Sequence, residues 1–379
     1  MLNSARANPS AMSLGNETVR DVTTTFPAIA RSGFPSGNYL TYTLSDSTRF
    51  QSVLDQLRND PDIEYAQPNY IHHIDGSVNR TKNITSTLKQ LTSKIQSFTP
   101  NDSAYSSQWN LPIIQAPQAW DLETGDSLIL IGFLDTGLDY FHKDFFSPDG
   151  RLASIHINPA EDINHDGIFE PWSKDSMHLV NGVMRSGDLD GIDEDGNGFT
   201  DDVIGYDFVD QSTPNFGDWS GRDADPYDEN GHGTATTGIA VAQTNNGIGI
   251  AGIAFHCKAL VLRAFDATGN GEDDDVAAAI IYAADFAPSD GAKVRVINCS
   301  FGDVVYSPLM HDAIKYANEK GIVIVCSSGN NGGTGAHYPS NYPECISVGS
   351  TNDEDGIDPS SGGGNSLALV APGDNVLTT

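Results

Sequence analysis

The sequence predicts an α/β protein, a doubly wound, mostly parallel sheet with helices on both faces, preceded by a small α+β module. Three observations carry that prediction. Beyond residue 105, short apolar runs alternate with segments of helical period. Those runs are nearly continuous in apolar residues, as strands covered on both faces are. A polar stretch rich in Ser, Thr, Asn and Lys separates them from an upstream region with strand and helix patterns of its own. At 379 residues the chain is long enough for one large domain and a smaller one.

Residues 1–36 carry Ser, Thr, Ala and Gly without a sustained period and stay unassigned. From Asn38 to Leu44, Leu40, Tyr42 and Leu44 alternate with Thr41 and Thr43, which predicts a half-buried strand. Phe50, Val53, Leu54 and Leu57 then fall at i, i+3, i+4 and i+7 of a helix that Asn59-Asp60-Pro61 stops. Ile63 to Tyr65 opens another short strand, giving a β-α-β module over residues 37–75. Residues 76–104 read as a linker, exposed and open to proteolytic processing.

In residues 105–379 the candidate buried strands are Leu128 to Leu134, Ala259 to Ala264, Val294 to Cys299, Ile322 to Cys326, Cys345 to Val348 and Leu367 to Val370. Helices are predicted over Thr234 to Ala242, Val276 to Phe286 and Ser307 to Lys320. The last of these has Leu309, Met310, Ala313, Ile314 and Ala317 on one face and Gly321 at its end.

The chain carries 51 acidic against 20 basic side chains, a formal charge of −31, which would repel a phosphate backbone and argues against a nucleic-acid partner. That charge suits surface solvation and divalent cations alike. Cys257, Cys299, Cys326 and Cys345 lack CxxC pairing, which argues against a zinc module and leaves one or two disulfides open. No run of 18 apolar residues suggests a membrane span, and Met1 to Pro9 lacks the apolar core of a secretory signal.

In a parallel sheet the reactive groups gather at the carboxyl ends of the strands. There the sequence places Asp135-Thr136-Gly137, Ser300-Phe301-Gly302 and Ser327-Ser328-Gly329-Asn330, while His232 opens a small-residue helix between glycines. A carboxylate, an imidazole and an amide are the parts of acyl-transfer catalysis apart from its nucleophile. Within the long acidic segment between Asp135 and His232, Asp162, Asn164 and Asp166 precede Gly167, and Asp193, Asp195 and Asn197 precede Gly198, with Asp201 and Asp202 following. Hard oxygen ligands at alternate positions before a glycine turn suit calcium (Ca2+) in a structural role, and neither loop has the twelfth-position Glu of an EF-hand.

The ordered set Asp135-Thr136-Gly137, Asn230-Gly231-His232-Gly233-Thr234 with Gly238, Asn298-Cys299-Ser300-Phe301-Gly302 and Ser328-Gly329-Asn330 resembles the subtilisin-like serine peptidases, or subtilases, over residues 105–379. The resemblance implies a subtilisin-like sheet, polypeptide substrates and a calcium-dependent, secreted serine endopeptidase in the extracellular space or cell envelope. Asp135 would orient His232, His232 would be the general base, and Asn330 would donate to the oxyanion. Ser300, Phe301, Gly302, Ser328 and Gly329 resemble the walls of the primary specificity pocket, and Gly269-Asn270-Gly271 the edge strand that pairs with an extended peptide. Asp144, with the loop near Asn245 and Asn246, resembles a calcium site of the family. His142, the rival base, lacks the Gly-His-Gly-Thr setting and reads as structural. Asp60 to Tyr70 resembles the end of a subtilase propeptide of the inhibitor I9 kind. It would pack on the enzyme as an intramolecular inhibitor and be cut between Tyr70 and Ser106.

One departure concerns the nucleophile. The family's serine lies in a Gly-Thr-Ser motif downstream of the segment that Val370-Ala371-Pro372-Gly373 resembles, and no Gly-Thr-Ser occurs in these residues. The expectation is a fragment of a longer zymogen, inactive alone. The alternative is a non-enzymatic, subtilase-like binding protein.

Overall fold

A computed structural model describes residues 2–7, 18–21, 38–43, 50–61, 63–75, 98–180, 182–210, 221–333 and 337–379. In the N-terminal module, β1 (Leu2–Ala7), β2 (Thr18–Asp21), β3 (Asn38–Thr43), helix α1 (Phe50–Arg58) and β4 (Ile63–Pro68) form a four-stranded sheet in the order β2-β3-β1-β4. β1 runs antiparallel to both β3 and β4, so α1 is a crossover between two strands that share a direction. Its buried face is Val53, Leu54 and Leu57, part of the predicted stripe. Residues 1–36 thus contribute two strands that the sequence reading left unassigned. Neither Leu2–Ala7 nor Thr18–Asp21 carries a sustained apolar–polar alternation in its sequence, and their pairing is with neighbouring strands. Leu44 and residues 76–97 lie outside the described residues.

The chain then adds β5 (Ile71–Ile74) and, after two short helices α2 (Asn110–Ile113) and α3 (Ala116–Trp120), builds the large domain. Packing against it already begins at Phe98, whose ring stacks on Phe255 and meets Trp120 edge-on. The strands are β6 (Ile129–Asp135), the hairpin β7 (Met177–Val180) and β8 (Val183–Ser186), β9 (Gly205–Asp207), β10 (Lys258–Arg263), β11 (Asn270–Glu272), β12 (Lys293–Cys299), β13 (Phe301–Gly302), β14 (Val323–Ser327), β15 (Cys345–Thr351) and β16 (Leu367–Pro372). Helices α4 (His232–Val241), α5 (Asp273–Asp285) and α6 (Pro308–Glu319) fall where three helices are predicted.

Seven strands form one parallel sheet in the order β16-β15-β14-β12-β6-β10-β9. The continuous apolar runs have a direct cause. On β10, Leu260 and Leu262 join the core beneath α5 and α6, while Ala259 and Val261 join the opposite core with Val241 of α4. Both faces of the strand are buried, so both phases of its alternation are apolar. β9 was not predicted, being a three-residue edge strand within the acidic segment. α6 begins as its sequence indicates, with the Ser307 hydroxyl accepting from Met310 N at 3.1 Å and Pro308 in the first turn. All four cysteines are free thiols.

The order of the chain puts β10 on one side of β6 and β12 on the other. The carboxyl ends of β6 and β12 therefore flank the point where the winding reverses, the usual place for a crevice.

Candidate active site

Asp135 is the last residue of β6, and His232 is the first of α4. Two glycines bring them together. Gly231 takes φ +97° as the helix cap, a conformation costly for a side chain, and a Cβ on Gly233 would stand 2.2 Å from Gly137 O. His232 Nδ1 donates to Asp135 Oδ1 at 2.6 Å. Asp135 also accepts from Thr136 N at 2.8 Å and, through its other oxygen, from Thr236 Oγ1 at 3.1 Å. Both side chains are buried.

A second carboxylate, which the sequence reading missed, holds this arrangement. Asp228 Oδ1 accepts from Thr136 Oγ1, Asn230 N and Gly231 N at 2.7 to 3.0 Å, and Oδ2 accepts from Thr234 N and Thr234 Oγ1 at 2.8 and 2.7 Å. It satisfies free amides at the start of α4 and ties them to the turn after β6. An Asp four residues before the His was its only trace in the sequence.

The N-terminal module reaches this site through β5. β5 lies antiparallel between β11 and β13, with His73 opposite Asn270 on one side and Gly302 on the other. Ile74 N donates to Gly269 O at 3.2 Å, and Asp75 N donates to Ser300 O at 2.9 Å. His232 Nε2 donates to Asp75 O at 2.9 Å. Upstream, Gln67 and Asn69 bond the opening residues of α5 and α6: Gln67 Nε2 donates to Asp273 Oδ2 at 2.8 Å, and Asn69 Nδ2 to Asp274 Oδ1 at 2.6 Å. His72 Nε2 meets Asp273 Oδ1 at 2.5 Å, both side chains fully buried.

Burial by itself would lower the His232 pKa. The Asp135 charge and hydrogen bond, the Asp75 carbonyl and the Asp228 charge outweigh it and push the pKa up to about 9. Held this way, the ring is an imidazolium donating from both nitrogens.

A model of the subtilase family matches residues 126–379. The chain belongs to the subtilase family. It is 31% identical over 330 residues to the thermophilic serine proteinase of Bacillus sp. (strain AK1), covering 87% of this chain and 59% of that protein. It is 33% identical over 283 residues to thermitase of Thermoactinomyces vulgaris, covering 74% of this chain and 76% of thermitase. Among solved structures, proteases from Pseudoalteromonas arctica PAMC 21717 align over 73% of each chain with a TM-score of 0.52 and 26% identity.

In this subtilase, Asp75, His232, Asn298, Ser300, Ser328, Gly329 and Asn330 line one cleft of about 510 Å³. Asn330 is exposed there at the end of β14. Phe301 departs from the pocket-wall expectation in one respect. Its ring is 1% exposed and packs on Phe265, so this residue meets the cleft through its backbone, paired with Ile74. Gly269, Asn270 and Gly271 run beside β5, and Gly302 and Gly329 both border the ring of His337. His142 caps the turn Lys143–Phe145, with Nδ1 accepting from Asp144 N.

The acidic loops divide into two groups. Carboxylate oxygens of Glu161, Glu194 and Asp201 lie within 4.8 Å of one another, as do those of Glu161, Asp195 and Asp202. Glu161 and Glu194 were not predicted, because both fall between or beside the alternate Asp/Asn positions of the two loops and Glu161 meets the second loop only through the fold. Glu161 Oε1 accepts from Glu194 N and Asp195 N, while its buried Oε2 has no hydrogen-bond partner among the described residues. Burial, then the charges of Asp202 and Glu194, push the Glu161 pKa up to about 8; burial and Asp195 do the same to Asp202. Asp193 and Asn197 shape this loop, with Asp193 accepting from Gly196 N and Gly198 N.

In the other group Asp162, Asn164 and Asp166 adjoin Glu170 and Asp188. Arg185 there pairs with Asp166 and lies 3.6 Å from Glu170, supplying a counter-charge of the protein's own. Asp144 accepts from Asn246 Nδ2 and Ile250 N, and Asp102 accepts from Asn245 N, so two carboxylates hold one loop.

Proposed function

We propose that this chain belongs to a secreted serine endopeptidase precursor, in which the N-terminal module is the propeptide and residues 71–75 occupy the substrate cleft. The observation that carries this reading is the contact of His232 Nε2 with the carbonyl of Asp75, at the end of a strand hydrogen-bonded on both sides. A substrate lying in the same place would present its scissile carbonyl to the base.

In that reaction His232 takes the proton from a serine hydroxyl as its oxygen attacks the carbonyl carbon. Asp135 stabilises the imidazolium, and Asn330 donates to the oxyanion. His232 then gives the proton to the leaving amine, and water repeats the sequence on the acyl-enzyme. Gly269, Asn270 and Gly271 pair with the extended peptide, and Ser300, Gly302, Ser328 and Gly329 border the side chain before the scissile bond.

We also propose calcium at the Glu161 cluster, held by Glu161, Glu194, Asp195, Asp201 and Asp202. The buried, unpartnered Glu161 oxygen and the all-oxygen donor set fit a hard divalent cation. The ion would cross-link the acidic segment. Asp162, Asn164 and Asp166, and Asp144 in its loop, are further candidates.

The test uses a polypeptide carrying these 379 residues together with a Gly-Thr-Ser segment. Self-cleavage producing a new N-terminus at Gly76, abolished by replacing the serine with Ala, is the expected result. An intact product that still binds peptides would favour the binding-protein reading.

A further inference from the structure

The residue seated at the point of cleavage is acidic, and the pocket around it contains a histidine. The Asp75 carboxylate enters the space bordered by Gly302 and Gly329, where His337 Nε2 lies 3.6 Å from its Oδ1. The two side chains are 13% and 10% exposed, so the pair is shielded from water. Asp75 Oδ2 is buried without a hydrogen-bond partner among the described residues. A buried carboxylate oxygen placed like this is stabilised by a donor close by.

His337 is built into the wall. A Cβ on Gly302 would stand 2.3 Å from its Cε1, and one on Gly329 would stand 2.7 Å from its Cδ2, so the ring fits because both neighbours lack side chains. Behind it, Ser340 Oγ donates to His337 O at 2.8 Å and lies 3.5 Å from Nδ1. Ser340 thus sits on the Nδ1 side of the ring, and the other ring nitrogen, Nε2, is the one beside Asp75. Tyr338 N donates to Asp303 O at 2.7 Å and Asp303 N to Tyr338 O at 3.0 Å, fixing the segment. A long apolar side chain entering here would have to displace a buried, anchored ring.

We infer that His337 makes this peptidase selective for an acidic residue on the acyl side of the scissile bond, with Asp75–Gly76 as its own first substrate. The inference rests on the peptidase reading and adds the substrate class. His337 is a specificity residue, since it touches the substrate side chain and not the reacting atoms.

Two measurements test it. With the Gly-Thr-Ser-bearing polypeptide, peptides differing only before the scissile bond are compared. Asp or Glu should exceed Asn or Leu by about tenfold or more in kcat/KM, and His337→Leu should erase that ratio while raising hydrolysis of the Leu peptide. An active enzyme that prefers Leu, or whose ratio His337→Leu leaves intact, overturns the inference. Failure to cleave casein or any peptide instead overturns the peptidase reading.

The pocket is then read without catalysis, in the 379-residue chain, by amide exchange at Ile74 and Asp75. Asp75→Asn and His337→Gln should each speed exchange severalfold, and the double variant no further than either single one. Independent effects, or none from Asp75→Asn, sink the proposed pairing. Asp75→Asn lies on the tail, so the result does not depend on His337 variants folding.

Discussion

His232 Nε2 stands 2.9 Å from Asp75 O, so the nitrogen that would accept a proton in acyl transfer donates one instead. Withdrawing β5 removes that acceptor, and the His232 pKa should fall from about 9 toward its ordinary range. Ile74→Pro, which cannot donate to Gly269 O, is a means of loosening the strand. NMR titration of the imidazole should show a lower midpoint in this variant; an equal midpoint would mean that the carbonyl exerts no hold.

The same shift predicts a pH dependence of stability. The folded pKa of about 9 lies above the ordinary 6.5, so the contribution is complete below about 6.5 and is lost as pH rises through about 9. Its size is on the order of 3 kcal/mol. Urea unfolding between pH 6 and 9.5 should trace this loss. Asp135→Asn should flatten it, because burial then acts against the charged ring with less opposition. In a serine-bearing form the same change should lower kcat about 10⁴-fold.

Asp228 should matter almost as much to the site without touching a reacting atom. Asp228→Ala strands five donors at the start of α4 and the turn after β6, at a cost of about 3 kcal/mol. Thermal unfolding measures that loss, and Asp228→Asn should restore part of it. In a serine-bearing form Asp228→Ala should lower kcat more than it changes KM, since the misplaced group is the proposed base. Equal stability of the Ala variant would refute its role as an anchor.

What the sequence revealed and concealed follows from where each signal arises. The central strands were legible because burial on two faces leaves a continuous apolar run, as in Ala259 to Leu262. Asp135 and His232 were legible because glycines surround them, Gly137 and Gly233 fixed by close backbone approach and Gly231 by its positive φ. β1, β2 and β9 were not, since their pairing depends on neighbours brought by the fold. Glu161 and His337 act through contacts between separate chain segments, which local spacing cannot record; Asp228 binds mostly nearby donors, and only its bond from Thr136 Oγ1 joins it to the turn after β6.

Glu161 offers the most direct test of the cation. Its Oε1 already accepts two amides, while its buried Oε2 has no hydrogen-bond partner among the described residues and belongs to a cluster of carboxylates. Glu161→Gln keeps an acceptor for the amides and removes the charge. Without added metal the variant should be as stable as the native chain or more so, because a repelled, buried acid has been neutralised. With calcium the order should reverse. At a free concentration one hundred times the dissociation constant, binding adds about 2.7 kcal/mol to the native chain, and the variant should gain much less. Melting both proteins in calcium and in chelator gives the four values needed. Equal calcium responses would remove Glu161 from the site, and no response in the native chain would remove the site itself.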